Sequence, residues 1–64
     1  MKSYSSRIIK KILEANGWFV VDVKGDHWQF EHNDIKCKIT LTHPIKDVSK
    51  NVIKDIERKS GLKF

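Results

Sequence analysis

With 64 residues, the chain can bury one small core but cannot hold a cofactor-binding lobe beside a substrate lobe, so a single domain over residues 1–64 is expected. Thirteen Lys and Arg against eight Asp and Glu leave a net charge of +5, which favours a polyanion: a nucleic acid, an anionic membrane surface or an acidic protein. One cysteine, Cys37, excludes an internal disulfide and a cysteine zinc finger, and the longest apolar run, Trp18-Phe19-Val20-Val21, is far too short to cross a bilayer.

A small chain without a disulfide fits a reducing compartment. The first residues lead into charged, helix-like sequence and not into an apolar signal core, so the cytoplasm is the expected location and no membrane partner is expected.

Residues 5–16 read as a helix. Ser5 or Ser3 can cap its start by accepting a bond from a free backbone N–H. Ile8, Ile9, Ile12 and Leu13 recur at helical spacing as one apolar stripe, with Arg7, Lys10, Lys11 and Glu14 on the other side. Asn16-Gly17 is the expected stop, since glycine adopts the left-handed conformation without steric cost.

The period then changes. Residues 18–24 are rich in β-branched and aromatic side chains, and residues 27–32 and 35–41 alternate. Gly25-Asp26 and Asn33-Asp34 separate them with the two-residue breaks that tight hairpins need, which predicts a three-stranded antiparallel meander. With those turns, Val23 faces Trp28, Val21 faces Phe30, Phe30 faces Cys37 and Trp28 faces Ile39, all on one apolar face. The opposite face pairs Glu31 with Lys36, Gln29 with Lys38 and Asp22 with Gln29, and sets His27 between Lys24 and Thr40. Because a one-residue slip inverts every side chain of a strand, two separate turns agreeing on one apolar face is a stringent test of the register.

Thr42-His43-Pro44 ends the third strand, and a short basic loop follows through Lys46. A second helix is expected from about residue 49 to residue 60, capped by Ser49 or Asn51, with Val52, Ile53 and Ile56 buried and Gly61 ending it. Lys50, Lys54 and Arg58 share its charged face at spacing i, i+4, i+8. The economical packing is an α+β, two-layer αβββα sandwich with both helices on the apolar face of the sheet.

The open face then carries His27, Gln29, Lys36 and Lys38. His27 follows a glycine-containing turn, where backbone at Gly25 can approach a ligand closely, and Lys24 and Lys38 are expected nearby. A near-neutral imidazole among ammonium groups suits proton transfer at physiological pH, while the lysines can hold a phosphate and stabilise its added charge. Cleavage of RNA needs little more: a base removes the 2′-hydroxyl proton, and the 2′-oxygen attacks the adjacent phosphorus. No metal or cofactor is called for, and a site built from the three histidines is the rival reading. His43 is a second candidate, able to give a proton to the leaving 5′-oxygen or else tied to backbone as a loop residue. His32 reads as structural and Cys37 as a small packed core residue. Lys46 and Lys50 offer further phosphate contacts. Trp18 and Val20 fall on the open face if alternation holds, forming an apolar patch for a protein partner, unless twist or a bulge turns Trp18 under the first helix.

Asn16-Gly17-Trp18, Gly25-Asp26-His27-Trp28-Gln29-Phe30, Ile39-Thr40-Leu41-Thr42-His43-Pro44, Val52-Ile53-Lys54-Asp55-Ile56 and Ser60-Gly61-Leu62 together resemble successive landmarks of HicA-type toxins. The resemblance spans essentially the whole chain and rests on the ordered set, no single motif being specific. It implies a double-stranded-RNA-binding-like fold and an mRNA interferase that cleaves single-stranded message and is held inactive by a HicB-type antitoxin. It also implies that His27, which follows a glycine and a small polar residue as in the family, is the catalytic residue. The chain departs from the family in three places: Asp26 stands where serine is usual, Trp28 where another histidine is frequent, and Asn51-Val52 where Gly-Thr is common. Two other functions compete with the nuclease. A non-catalytic double-stranded-RNA-binding module would want a denser lysine cluster than Lys46, Lys50 and Lys54 provide. An interaction domain, or self-association, would use the Trp18/Val20 patch.

Overall fold

The computed structural model describes residues 4–64. It contains α1 (Ser6–Ala15), β1 (Trp18–Lys24), β2 (His27–His32), β3 (Ile39–Thr42) and α2 (Lys50–Ser60), the expected α-β-β-β-α order. The strands form one antiparallel sheet in the order β1-β2-β3. Ile9 and Leu13 of α1, Ile56 of α2, Val48 of the preceding loop, and Trp18, Phe30, Ile39 and Leu41 of the sheet make one buried cluster. Both helices therefore pack on the same face of the sheet, and its other face is uncovered.

The helix ends follow their capping residues. Ser5 accepts from the Ile8 N–H and Ser49 from the Val52 N–H; Ser3, the other candidate for α1, lies outside the described residues. Gly61 closes α2 in the left-handed conformation at φ 75°, its N–H bonded to the Glu57 carbonyl. Gly17, at φ 93°, is needed twice over, because a β-carbon there would sit 2.8 Å from His32 Nε2. The buried stripe of α1 is narrower than the sequence suggests: Ser6, Ile9 and Leu13 are buried, whereas Ile8 is 46% exposed. Val52 of α2 is likewise exposed, one position off the line of Ile53 and Ile56.

Two corrections apply to the sheet. In β1 the register slips between Val20 and Asp22, so Val20, not Val21, stands opposite Phe30, and Val21 is the extra residue of a β-bulge. The bulge inverts the faces of the first three residues: Trp18 turns inward and is 2% exposed, while Phe19 faces outward across from Glu31. The expected open-face patch of Trp18 and Val20 is therefore absent. In β3 the pairing begins later, with Ile39 opposite Phe30 and Leu41 opposite Trp28, two residues on from the expected partners Cys37 and Ile39. An even shift keeps every side chain on its face, so Ile39 and Leu41 are buried as the alternation requires. It also sets two large aliphatic side chains against the aromatic ones, where the shorter register would spend one position on a thiol. Cys37, left in the connecting loop, is exposed and not a core residue.

Candidate active site

His27 opens β2 directly after the Gly25-Asp26 turn. It alternates with the inward-facing Trp28 and Phe30, so its ring lies on the uncovered face, and its side chain is 62% exposed. Its cross-strand neighbours are Lys24 of β1 and Thr42 of β3, the latter replacing the expected Thr40 because of the two-residue shift. His27 Nε2 is 3.5 Å from Asp26 Oδ1, an ion pair whenever the ring carries a second proton. A β-carbon at Gly25 would meet nothing within 4 Å, which leaves the turn open to close approach. Gln29, half-buried, continues the same face between Asp22 and Thr40.

Not all the expected basic residues gather here. Lys38 pairs with Glu31 at 3.6 Å, and Glu31 lies four residues along β2 from His27, roughly 13 Å at the rise of an extended strand. Lys38 is thus not a neighbour of His27, nor does it face Gln29. Lys36 is in the same loop, where it, Glu31, His32, Ile35, Cys37 and Lys38 line a hollow of about 290 Å³. Lys50 is exposed at the start of α2, and Lys46 is exposed in the loop before it. Lys24, Gly25, His27 and Gln29 form the coherent group.

His43 belongs to the other side of the sheet. Thr42 shares the face of His27, so the next residue turns toward the helices. There the His43 ring packs edge-on against Trp28, with centroids 4.9 Å apart, and its Nδ1 lies 2.7 Å from Ser6 Oγ. Ser6 Oγ also accepts from the Ile45 N–H at 2.8 Å, and the Ser6 N–H donates to the Ile45 carbonyl at 2.8 Å. The Lys10 ammonium sits 5.6 Å over the Trp28 ring and bridges to Glu14. His27 and His43 are joined only through backbone, by the His43 N–H donating to the Asp26 carbonyl at 2.8 Å. The His27 ring lies on the open face and the His43 ring on the side of the helices.

His32 is a structural residue. Its Nδ1 accepts from the Asp34 N–H, which requires the proton on Nε2, and Nε2 donates to the Asn16 carbonyl at 3.0 Å. The ring packs against Trp18. The three histidines are thus held apart. Among the described residues, no group of three or more His, Cys, Asp and Glu side chains stands where it could hold a metal ion. Ser6 carries a role that the sequence pattern does not announce. Its position was legible, since 6, 9 and 13 are successive sites on one helical stripe, but nothing local announces a partner 37 residues away.

A family model described as HicA toxin of bacterial toxin–antitoxin matches residues 6–62 of the chain, from the first residue of α1 to just past α2. No curated protein matches it.

Proposed function

The chain belongs to the HicA toxin family of bacterial toxin–antitoxin pairs, and on that premise we propose that it is a metal-independent endoribonuclease that cleaves mRNA with His27 as general base. The observation that carries this reading is the uncovered His27 imidazole, beside Lys24 and next to an unobstructed glycine turn. An RNA strand laid across this end of the sheet brings a ribose to the ring. His27 takes the 2′-hydroxyl proton, the 2′-oxygen bonds to phosphorus, and the bond from phosphorus to the 5′-oxygen breaks. The products are a 2′,3′-cyclic phosphate and a 5′-hydroxyl, whose proton comes from water. Lys24 offsets the charge that builds on the phosphorane, and Gln29 can hydrogen-bond the strand on the same face. Asp26 faces the imidazolium once it forms. The remaining lysines, Lys36, Lys38 and Lys50, contribute long-range attraction for the strand.

The same basic surface suits a HicB-type antitoxin of acidic character, and the cytoplasm, where message is found, is the proposed site of action. The test is expression of the chain and of His27→Ala in cells, with growth and total mRNA followed, and cleavage of an end-labelled RNA by the purified proteins. Arrest and cyclic-phosphate ends are expected from the parent. The variant, which removes an exposed side chain, should lose about 10²–10⁴-fold in rate. Undiminished cleavage by a folded His27→Ala protein, or loss of the parent's activity in EDTA, overturns the mechanism.

A further inference from the structure

Three of the hollows among the described residues carry basic side chains, and they differ in what else lines them. The hollow at Lys36 and Lys38 includes Glu31, which already engages Lys38. The hollow of Asn51, Lys54, Asp55 and Arg58 is the smallest, about 240 Å³, and its guanidinium is bound to Asp55 at 2.7 Å. The third is an open groove of about 650 Å³ between the start of α1 and the loop after β3, lined by Ser5, Ser6, Arg7, His43, Pro44, Ile45 and Lys46. It holds three basic side chains and no carboxylate. Among the described residues, no ion pair engages Arg7 or Lys46, and both are exposed.

The geometry points to this groove as a second phosphate subsite, which takes a phosphodiester of the RNA strand flanking the bond at His27. The inference deepens the ribonuclease reading and rests on it for the identity of the strand. The walls are already fixed: Ser6 and Ile45 are cross-linked by backbone and side-chain bonds of 2.8 Å, and His43 Nδ1 is occupied by Ser6 Oγ, which leaves Nε2 as the ring's remaining polar atom. Little ordering is therefore left to oppose binding beyond the ends of two flexible cations. Pro44 and Ile45 give the groove an apolar portion suited to a ribose or base edge.

Its place relative to His27 is also set. His43 follows Thr42, the cross-strand partner of His27, and bonds by its N–H to the carbonyl of Asp26. A strand lying at His27 on the open face reaches the groove by passing round the Gly25-Asp26 end of the sheet. There no residue beyond its two chain neighbours stands within 4 Å of a β-carbon at Gly25, and the exposed Asp26 carboxylate lies beside His27. The subsite would hold the flanking chain while the scissile phosphate stays at His27 and Lys24.

The experiment uses a short 2′-O-methyl oligonucleotide, which has no free 2′-hydroxyl and cannot be cleaved. Titrated into isotopically labelled protein, it is expected to shift the amides of Ser5, Ser6, Ile45 and Lys46 as well as those around His27. The Arg7→Gln, Lys46→Gln double variant should bind more weakly, with the slope of log affinity against log salt lower by about two. A charge-matched Lys59→Gln, Lys63→Gln variant should keep the parent slope. Shifts confined to the open face, or an equal loss in both double variants, would overturn the proposal. Inorganic phosphate is the second arm: shifts at the groove with phosphate but none with the oligonucleotide would overturn the assignment to a strand. Groove binding by a parent protein that cuts no RNA would leave the subsite standing and remove the nuclease reading instead.

Discussion

Ser6 is the residue whose loss should be felt most for its size. It is buried, and its one oxygen serves both the His43 ring and the Ile45 N–H. Ser6→Ala leaves both without a partner, with an expected cost of about 1–3 kcal/mol in urea denaturation; a change of a few tenths would mean that water replaces the hydroxyl. Cys37, exposed in the loop before β3, should react with a thiol reagent in the native protein nearly as fast as in denaturant, and strong protection would contradict its placement. Residues whose place depends on strand parity alone were legible in the sequence, His27 foremost: its face survives any even change of register. Those whose place depends on a distant partner or on an exact register were not: the Ser6 hydroxyl meets residues 37 and 39 positions away, and Cys37 leaves the core only because β3 pairs two residues later.

Among the elements, β1 shows how one inserted residue overrides a pattern. The run of β-branched and aromatic residues from Trp18 to Val21 marks a strand, but it cannot reveal that two phases have been joined at Val21. What does select the phase is burial: the inward turn puts the Trp18 indole beneath α1 and against His32, and leaves Phe19 at the surface. In α2, the Asp55 carboxyl is held below the usual carboxylate range, chiefly by hydrogen bonding from Lys59, with Arg58 adding to it. A depressed folded value means the ionised form is the stabilising one. That contribution is present above the ordinary aspartate value, about pH 4, and is lost as pH falls through the lower folded value. The melting temperature of the parent should therefore decline on acidification below about pH 4 slightly more than that of Asp55→Asn. Parallel curves would show that the exposed pair contributes nothing to folding.

For the molecule as a whole, one cluster of buried hydrophobic side chains, eight among the described residues, has to hold two layers together. At typical values per residue, a chain of 64 residues has roughly 3–10 kcal/mol of stability in total. Phe30, fully buried at the centre of the sheet, would cost about 3–5 kcal/mol if truncated to alanine. Phe30→Ala is accordingly expected to show little cooperative melting by circular dichroism at 37 °C, and an intact transition there would mean that the helices repack over the void. The layer order and the Gly25-Asp26 turn were readable because periodicity and turn chemistry are local properties; the expected tight turn at Asn33-Asp34 was not found, since β2 and β3 are joined by residues 33–38 and residues 35–41 alternate whether or not they are paired.

The slip at Val21 also bears on how chains meet one another in solution. β1 borders the sheet, and a border strand is the natural place for a stray segment of another molecule to zip on. Here any such newcomer finds at most three regular positions before the backbone bends and its hydrogen-bonding groups fall out of step. The fold thereby carries an obstacle to fibrous stacking in one of the two strands that border its sheet.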